Sequence, residues 1–211
     1  MTHAVEVLGR LRDARVVPVV RLSTAARAAT AVSWLRDAGI TVFEITMTIP
    51  DAPALIRDLA SDPALLVGAG TVRDATAARE CIASGARFLV APWVETSIVE
   101  PGKEAGIPVM LGALTPTEVQ AALSAGAEVV KIFPASSAGG VAHLKALRSV
   151  FPEVTFCPTG GIAAREVGDY LAAGAAFVGM GGRLVDESLV AAGNAAAVRA
   201  AAHEVLGTRE T

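Results

Sequence analysis

The chain has 211 residues, 18 basic and 21 acidic, for a net charge of −3 with no basic cluster, which suits one full core and argues against nucleic acid as a partner. Hydrophobic residues make up 53% and mean hydropathy is +0.51, yet the longest uncharged stretches, such as 105–117 and 170–182, are 13 residues, short of the roughly 20 that a spanning helix needs. Two cysteines (Cys81, Cys157) and three scattered histidines (His3, His143, His203) give neither a disulfide framework nor a metal spacing, and the N-terminus Met1-Thr2-His3-Ala4-Val5-Glu6 lacks the basic-then-apolar order of a signal peptide, so a cytoplasmic protein is expected.

A short amphipathic helix near 4–12 precedes a first strand at 15–21. Helix 24–38 follows, with Ala28, Val32 and Leu35 at helical spacing. Strands are then expected at 41–46, 65–68, 87–91 and 108–111, with helices at 52–60, 75–84, 96–105 and 115–125. A sixth strand lies within 127–134 and is followed by helix 141–150. Strand 154–157, helix 164–172, strand 176–180 and a last helix near 189–206 close the chain. Five of the junctions repeat one pattern, a small residue and glycine before a short apolar strand: Ala38-Gly39, Ser84-Gly85, Ala105-Gly106, Ala125-Gly126 and Ala173-Gly174. Eight similar βα units predict a compact (β/α)8 TIM barrel with an extra N-terminal helix, one domain over 1–211. A doubly wound sheet is the alternative, and it lacks a glycine-rich dinucleotide turn here.

The chemistry is read from the strand ends, where such barrels place their sites. Lys131 stands in Val129-Val130-Lys131-Ile132-Phe133-Pro134, an apolar, β-branched run, and only Lys103 and Lys145 accompany it in the whole chain. Burial disfavours an ammonium and favours the neutral amine, a nucleophile for carbonyls. The competing reading pairs it with an acid at a strand end. Glu44, inside Val42-Phe43-Glu44-Ile45, is a buried acid that can move protons, or the partner in a structural ion pair with Lys131 or an arginine. Arg21 offers a planar fork to a carboxylate, against the plain alternative of a solvated charge. Thr71 offers a hydroxyl, Phe133 a pocket wall, and Pro92 ends the fourth strand. Thr159, Gly160 and Gly161 after the seventh strand, and Gly181 and Gly182 after the eighth, stand where barrels gather backbone donors for phosphate, with the helix near Ala164 adding its N-terminus; the alternative is a pair of tight turns.

With these residues in place the chain resembles the 2-keto-3-deoxy-6-phosphogluconate (KDPG) / 4-hydroxy-2-oxoglutarate (KHG) aldolase family. The resemblance runs through Val17-Pro18-Val19-Val20-Arg21, Phe43-Glu44-Ile45-Thr46-Met47-Thr48, Gly68-Ala69-Gly70-Thr71-Val72, Lys131-Ile132-Phe133-Pro134 and Cys157-Pro158-Thr159-Gly160-Gly161-Ile162, and covers nearly the whole chain. It implies a class I aldolase: Lys131 forms a Schiff base with a 2-keto acid, Glu44 transfers protons, Arg21 and Thr71 hold the pyruvyl part, and the glycine turns take phosphate. It implies no metal or cofactor, a small keto acid as the only partner besides other subunits, and a homotrimer. The chain departs from the family at two points. Thr48 stands where some members have arginine, and Gly182, followed by Arg183, stands where many have a phosphate-binding serine. The rival readings are the same chemistry on an unphosphorylated acid, a phosphate-binding barrel isomerase or synthase, and a non-catalytic sugar-acid sensor.

Overall fold

The computed structural model describes residues 3–207; Met1 and Thr2, where the N-terminal reading begins, and the end of the domain expected over 1–211 lie outside the described residues. Helix α1 (His3–Ala14) leads into β1 (Val16–Val20), α2 (Ala25–Asp37), β2 (Val42–Thr46), α3 (Ala52–Ala60), β3 (Leu66–Gly70), α4 (Ala75–Ala83) and β4 (Leu89–Val90). Then come α5 (Val99–Ala105), β5 (Val109–Ala113), α6 (Pro116–Ala125), β6 (Val129–Ile132), α7 (Gly140–Val150), β7 (Phe156–Pro158), α8 (Val167–Ala172), β8 (Val178–Met180), α9 (Glu187–Ala191) and α10 (Ala195–Gly207).

All strands pair in parallel, in the order β7-β6-β5-β4-β3-β2-β1-β8. The two ends meet: Ala176 N–H donates to Phe156 O at 2.9 Å, and Thr159 bridges Gly179, so the sheet closes into the expected barrel. Strand residues alternate between two cores. Inside the barrel Val17, Val42, Leu66, Phe88, Val90, Met110, Val129, Cys157 and Phe177 pack together, and Val7 and Leu11 of α1 seal the bottom. The extra N-terminal helix is therefore the floor of the barrel. The larger apolar cluster fills the layer between strands and outer helices.

The helix ends follow the local chemistry of the sequence. Thr24 and Asp74 accept from the third backbone N–H of their helices, and Thr115 with Glu118 closes a reciprocal capping box. All five predicted junction glycines (39, 85, 106, 126 and 174) have left-handed backbones, with φ from 66° to 99°. The boundaries differ in instructive places. β3 and β5 run two residues past the apolar stretch, through Gly70 and Ala113, because Thr46 of β2 and Ile132 of β6 lie beside these residues in register. β4 is only two residues long. The last predicted helix is broken into α9 and α10 by Gly193, at φ +69°. The predicted helix at 164–172 opens with a 3-10 turn, and Glu166 already accepts the Ala163 N–H at 2.8 Å. A carboxylate thus caps this helix start at the Ala163 N–H.

Candidate active site

The period of two along each strand sets what faces the barrel axis above the inner core. Two residues beyond Val129 comes Lys131, and two beyond Val42 comes Glu44. Both side chains point inward and meet: Lys131 Nζ lies 3.2 Å from Glu44 Oε1 and 3.3 Å from Oε2. The two residues are 4% and 5% exposed. The neighbours make room for the pair. Glycines stand beside it in register, Gly112 next to Lys131 and Gly68 next to Glu44. A Cβ on Gly70 would strike the Glu44 carboxylate, so only glycine leaves that carboxylate its place.

An ion pair alone would fit a structural role. Buried pairs are poor stabilisers, however, since apolar residues of equal volume usually do as well or better. This pair also opens upward. Lys131 lies on the wall of a cavity of about 830 Å³, the upper part of the range for small-molecule sites. Arg21, Thr71, Pro92, Phe133, Thr159, Gly160, Gly161, Gly181 and Gly182 line the same cavity, so the structure brings every predicted substrate-side residue to one place. Glu44 stands just beneath it, hydrogen-bonded to the lysine.

Arg21 is not a loose strand-end charge. Its Nη2 donates to Thr71 Oγ1 at 2.9 Å and its Nη1 to Thr48 Oγ1 at 3.4 Å. Thr48 in turn sits 2.8 Å from Thr46 Oγ1, whose hydroxyl is tied to Val20 O at 3.0 Å. Thr48, where some relatives have arginine, thus helps aim the arginine of strand one. Thr71 has φ +57°, a left-handed backbone that is an outlier for a β-branched residue and costs about 1–2 kcal/mol. That turn, directly after Gly70, presents the hydroxyl to Arg21.

The glycine turn after β7 is fastened to the lysine strand. Ala135 N–H donates to Thr159 O at 2.8 Å and Ser136 N–H to Gly160 O at 3.0 Å. In each trans peptide the N–H opposes the C=O, so the N–H groups of Gly160 and Gly161 turn away from the lysine strand, toward β8, which Thr159 bridges at Gly179. Thr159 itself is 4% exposed, and its hydroxyl faces Cys157. Its contribution to the cavity is therefore mainly backbone. Phe133, 39% exposed, has its ring centroid 6.0 Å from Lys131 Nζ and serves as a wall, as expected.

The cavity wall also holds polar and aromatic residues outside the predicted set, Trp93, Asp186 and Glu187, together with Arg183, which the sequence reading noted only as the neighbour of Gly182. Trp93 is 44% exposed on the rim, and its position right after the fourth strand was the available signal. Arg183 also lines the cavity, and its side chain has no partner among the described residues. Asp186 and Glu187 share that wall but are occupied. Asp186 caps α9, and Glu187 accepts from Ser23 N, Ser23 Oγ and Arg27. These hydrogen bonds hold both carboxyls below the usual carboxylate range. Burial, opposed by the charge of Lys131, pushes the Cys157 thiol up to about 12, so it is no nucleophile despite pairing with Lys131 in register.

The comparisons with known proteins agree with this geometry. Residues 7–201 match the family model for KDPG and KHG aldolase. A 2-dehydro-3-deoxy-phosphogluconate aldolase of Treponema pallidum is 34% identical over 199 residues, 93% of this chain and 94% of that protein. A KHG/KDPG aldolase of Escherichia coli is 35% identical over 158 residues, 74% of each chain. Among solved structures, the KDPG aldolase of Legionella pneumophila, with pyruvate captured as a covalent carbinolamine intermediate, superposes with a TM-score of 0.85 at 33% identity, over 94% of this chain and 97% of that one. A buried lysine–glutamate pair at the mouth of an eight-stranded barrel, together with a family match over 7–201, places this chain in the KDPG and KHG aldolase family.

Proposed function

We propose that the protein is a class I aldolase that cleaves KDPG to pyruvate and glyceraldehyde 3-phosphate. The observation that carries this reading is the buried Lys131–Glu44 pair opening onto a cavity with cationic and glycine-rich walls. Lys131 Nζ attacks the 2-keto carbon and water leaves, giving a protonated imine. The imine draws electrons from the C3–C4 bond. Glu44 takes the C4 hydroxyl proton as that bond breaks, the aldehyde departs, and an enamine remains. Protonation at C3 and hydrolysis return pyruvate and the free amine.

Arg21 holds the pyruvyl carboxylate, assisted by the Thr71 hydroxyl, and Pro92 and Phe133 shape the wall. The phosphate end is received by the backbone of Thr159, Gly160 and Gly161 and of Gly181 and Gly182. Arg183, a cation on that wall whose side chain has no partner among the described residues, supports an anionic far end where the serine of many relatives is absent. The rival reading, cleavage of 4-hydroxy-2-oxoglutarate, uses the same lysine and ends in a carboxylate instead. Assembly as a homotrimer and a cytoplasmic location complete the proposal and rest on the family likeness.

Borohydride trapping with pyruvate tests the core of it. One reduced adduct is expected, on the peptide that holds Lys131. An adduct on Lys145, or none in active enzyme, overturns the assignment. Lys131→Arg is expected to be as inactive as Lys131→Ala, because a guanidinium stays protonated.

A further inference from the structure

Trp93 stands on the opposite side of the barrel mouth from the glycine turns. In the closed order of eight strands, β4 and β8 are four apart, and β6, which carries Lys131, is two from each. A chain growing from Lys131 can therefore leave in two directions. One leads to the polar turns after β7 and β8. The other leads to Pro92 and Trp93 after β4.

This second wall is apolar for reasons visible in its bonding. Pro92 has no N–H. The Trp93 carbonyl accepts from Gly112 N at 3.1 Å, and a Cβ on Gly112 would strike the Pro92 and Trp93 backbone, so the end of β4 lies folded over the end of β5. No β5 residue reaches the cavity among the described residues. The indole N–H is spent on Glu95 Oε2 at 3.1 Å, and Glu95 is itself anchored by Ser97 N–H and hydroxyl. What remains to face the cavity is an aromatic ring, fixed in place and 44% exposed. Trp93 and Phe133 are the only large aromatic side chains exposed to this degree among the described residues, and both line this cavity. An exposed, pre-oriented indole without a polar group to offer suits another flat apolar group.

We infer that Pro92 and Trp93 form a second acceptor wall, taking the aldehyde-derived end of 4-hydroxy-2-oxo acids that carry an aromatic ring at C4. This rests on the imine reading of Lys131 given above. In cleavage the C3–C4 bond breaks, the C4 hydroxyl proton passes to the base, and C4 leaves as an aryl aldehyde. C3 takes a proton and water releases pyruvate. One 4-aryl-4-hydroxy-2-oxobutanoate gives one pyruvate and one aryl aldehyde, with no change of oxidation state overall, and synthesis runs the same steps backwards.

The test is the ratio of kcat/KM for 4-hydroxy-2-oxo-4-phenylbutanoate to that for 4-hydroxy-2-oxopentanoate, which carries methyl at C4. Both are read as pyruvate released by the same preparation, so the ratio does not depend on the folded fraction. The natural protein is expected to prefer the phenyl substrate roughly tenfold. Trp93→Ala should cut the ratio by roughly fivefold to tenfold, the scale of one aromatic contact, and Trp93→Phe should keep most of it. A ratio near one in the natural protein, or an unchanged ratio in Trp93→Ala, overturns the proposal. Borohydride trapping with pyruvate is run in parallel. A missing Lys131 adduct overturns the imine reading and this inference with it, whereas a normal adduct with a flat ratio overturns this inference alone.

Discussion

Arg21 projects from the end of β1 with one nitrogen on Thr71 and the other near Thr48, leaving the rest of its five-donor fork for a ligand. Arg21→Ala should raise the KM for the keto acid roughly 10- to 100-fold, the scale of a charge-assisted hydrogen bond, whereas Thr48→Ala, which removes only a 3.4 Å support, should change it a fewfold. Steady-state kinetics on both variants decides; a larger loss from Thr48→Ala would put the carboxylate elsewhere. At this scale the sequence was informative wherever a residue was out of character with its strand. A lysine and a glutamate inside β-branched runs announced themselves, and they meet at 3.2 Å. Trp93 carried only its position after the fourth strand as a signal, and an aromatic beside a proline there reads equally as ordinary packing. The closed barrel puts it on the rim of the cavity that Lys131 lines.

Elements were legible where local chemistry decides and blurred where pairing decides. The five junction glycines end helices through their own φ, so the pattern in the chain is the pattern in space. Strand ends are set by the neighbouring strand. Gly70 belongs to β3 because Thr46 of β2 lies beside it, which no periodicity in Leu66–Gly70 reveals. That placement has a consequence for catalysis. The Glu44 carboxylate occupies the space a side chain on Gly70 would take. Gly70→Ala should therefore displace the carboxylate while leaving Lys131 in its strand. A displacement on the order of 1 Å costs about 10²-fold in rate, and overpacking costs about 1–3 kcal/mol of stability. The variant is expected to form the borohydride adduct with pyruvate, to turn over about 100-fold more slowly, and to melt at a lower temperature. Normal kcat with a lowered melting temperature would show that the position of Glu44 does not govern turnover.

The whole molecule is two apolar shells, one inside the barrel and one around it, and each encloses a thiol. Cys157 belongs to the inner shell and Cys81, with its sulfur 3.3 Å from Met47 Sδ, to the outer. Burial pushes both thiols from an ordinary 9.0 up to about 12. Below about pH 8 both are protonated folded or unfolded, so they contribute no pH dependence. From about pH 8 up to about pH 12 the unfolded chain progressively releases protons that the folded chain still holds, so the unfolded state binds fewer. Stability must fall as pH rises through that window, by up to about 1.4 kcal/mol per pH unit for each thiol. Tyr170, raised by its own burial, adds a slope of the same sign and is present in every variant. Urea unfolding at pH 7, 8, 9.5 and 10.5 should show a steep loss in the natural protein and a shallower one in Cys81→Ala/Cys157→Ala, with the two curves parallel up to about pH 8. The single variants apportion the effect, and Cys157→Ala should account for the part that comes from inside the barrel. Equal slopes in the natural and double-variant proteins between pH 9 and 10.5 would mean that neither shell keeps its thiol protonated.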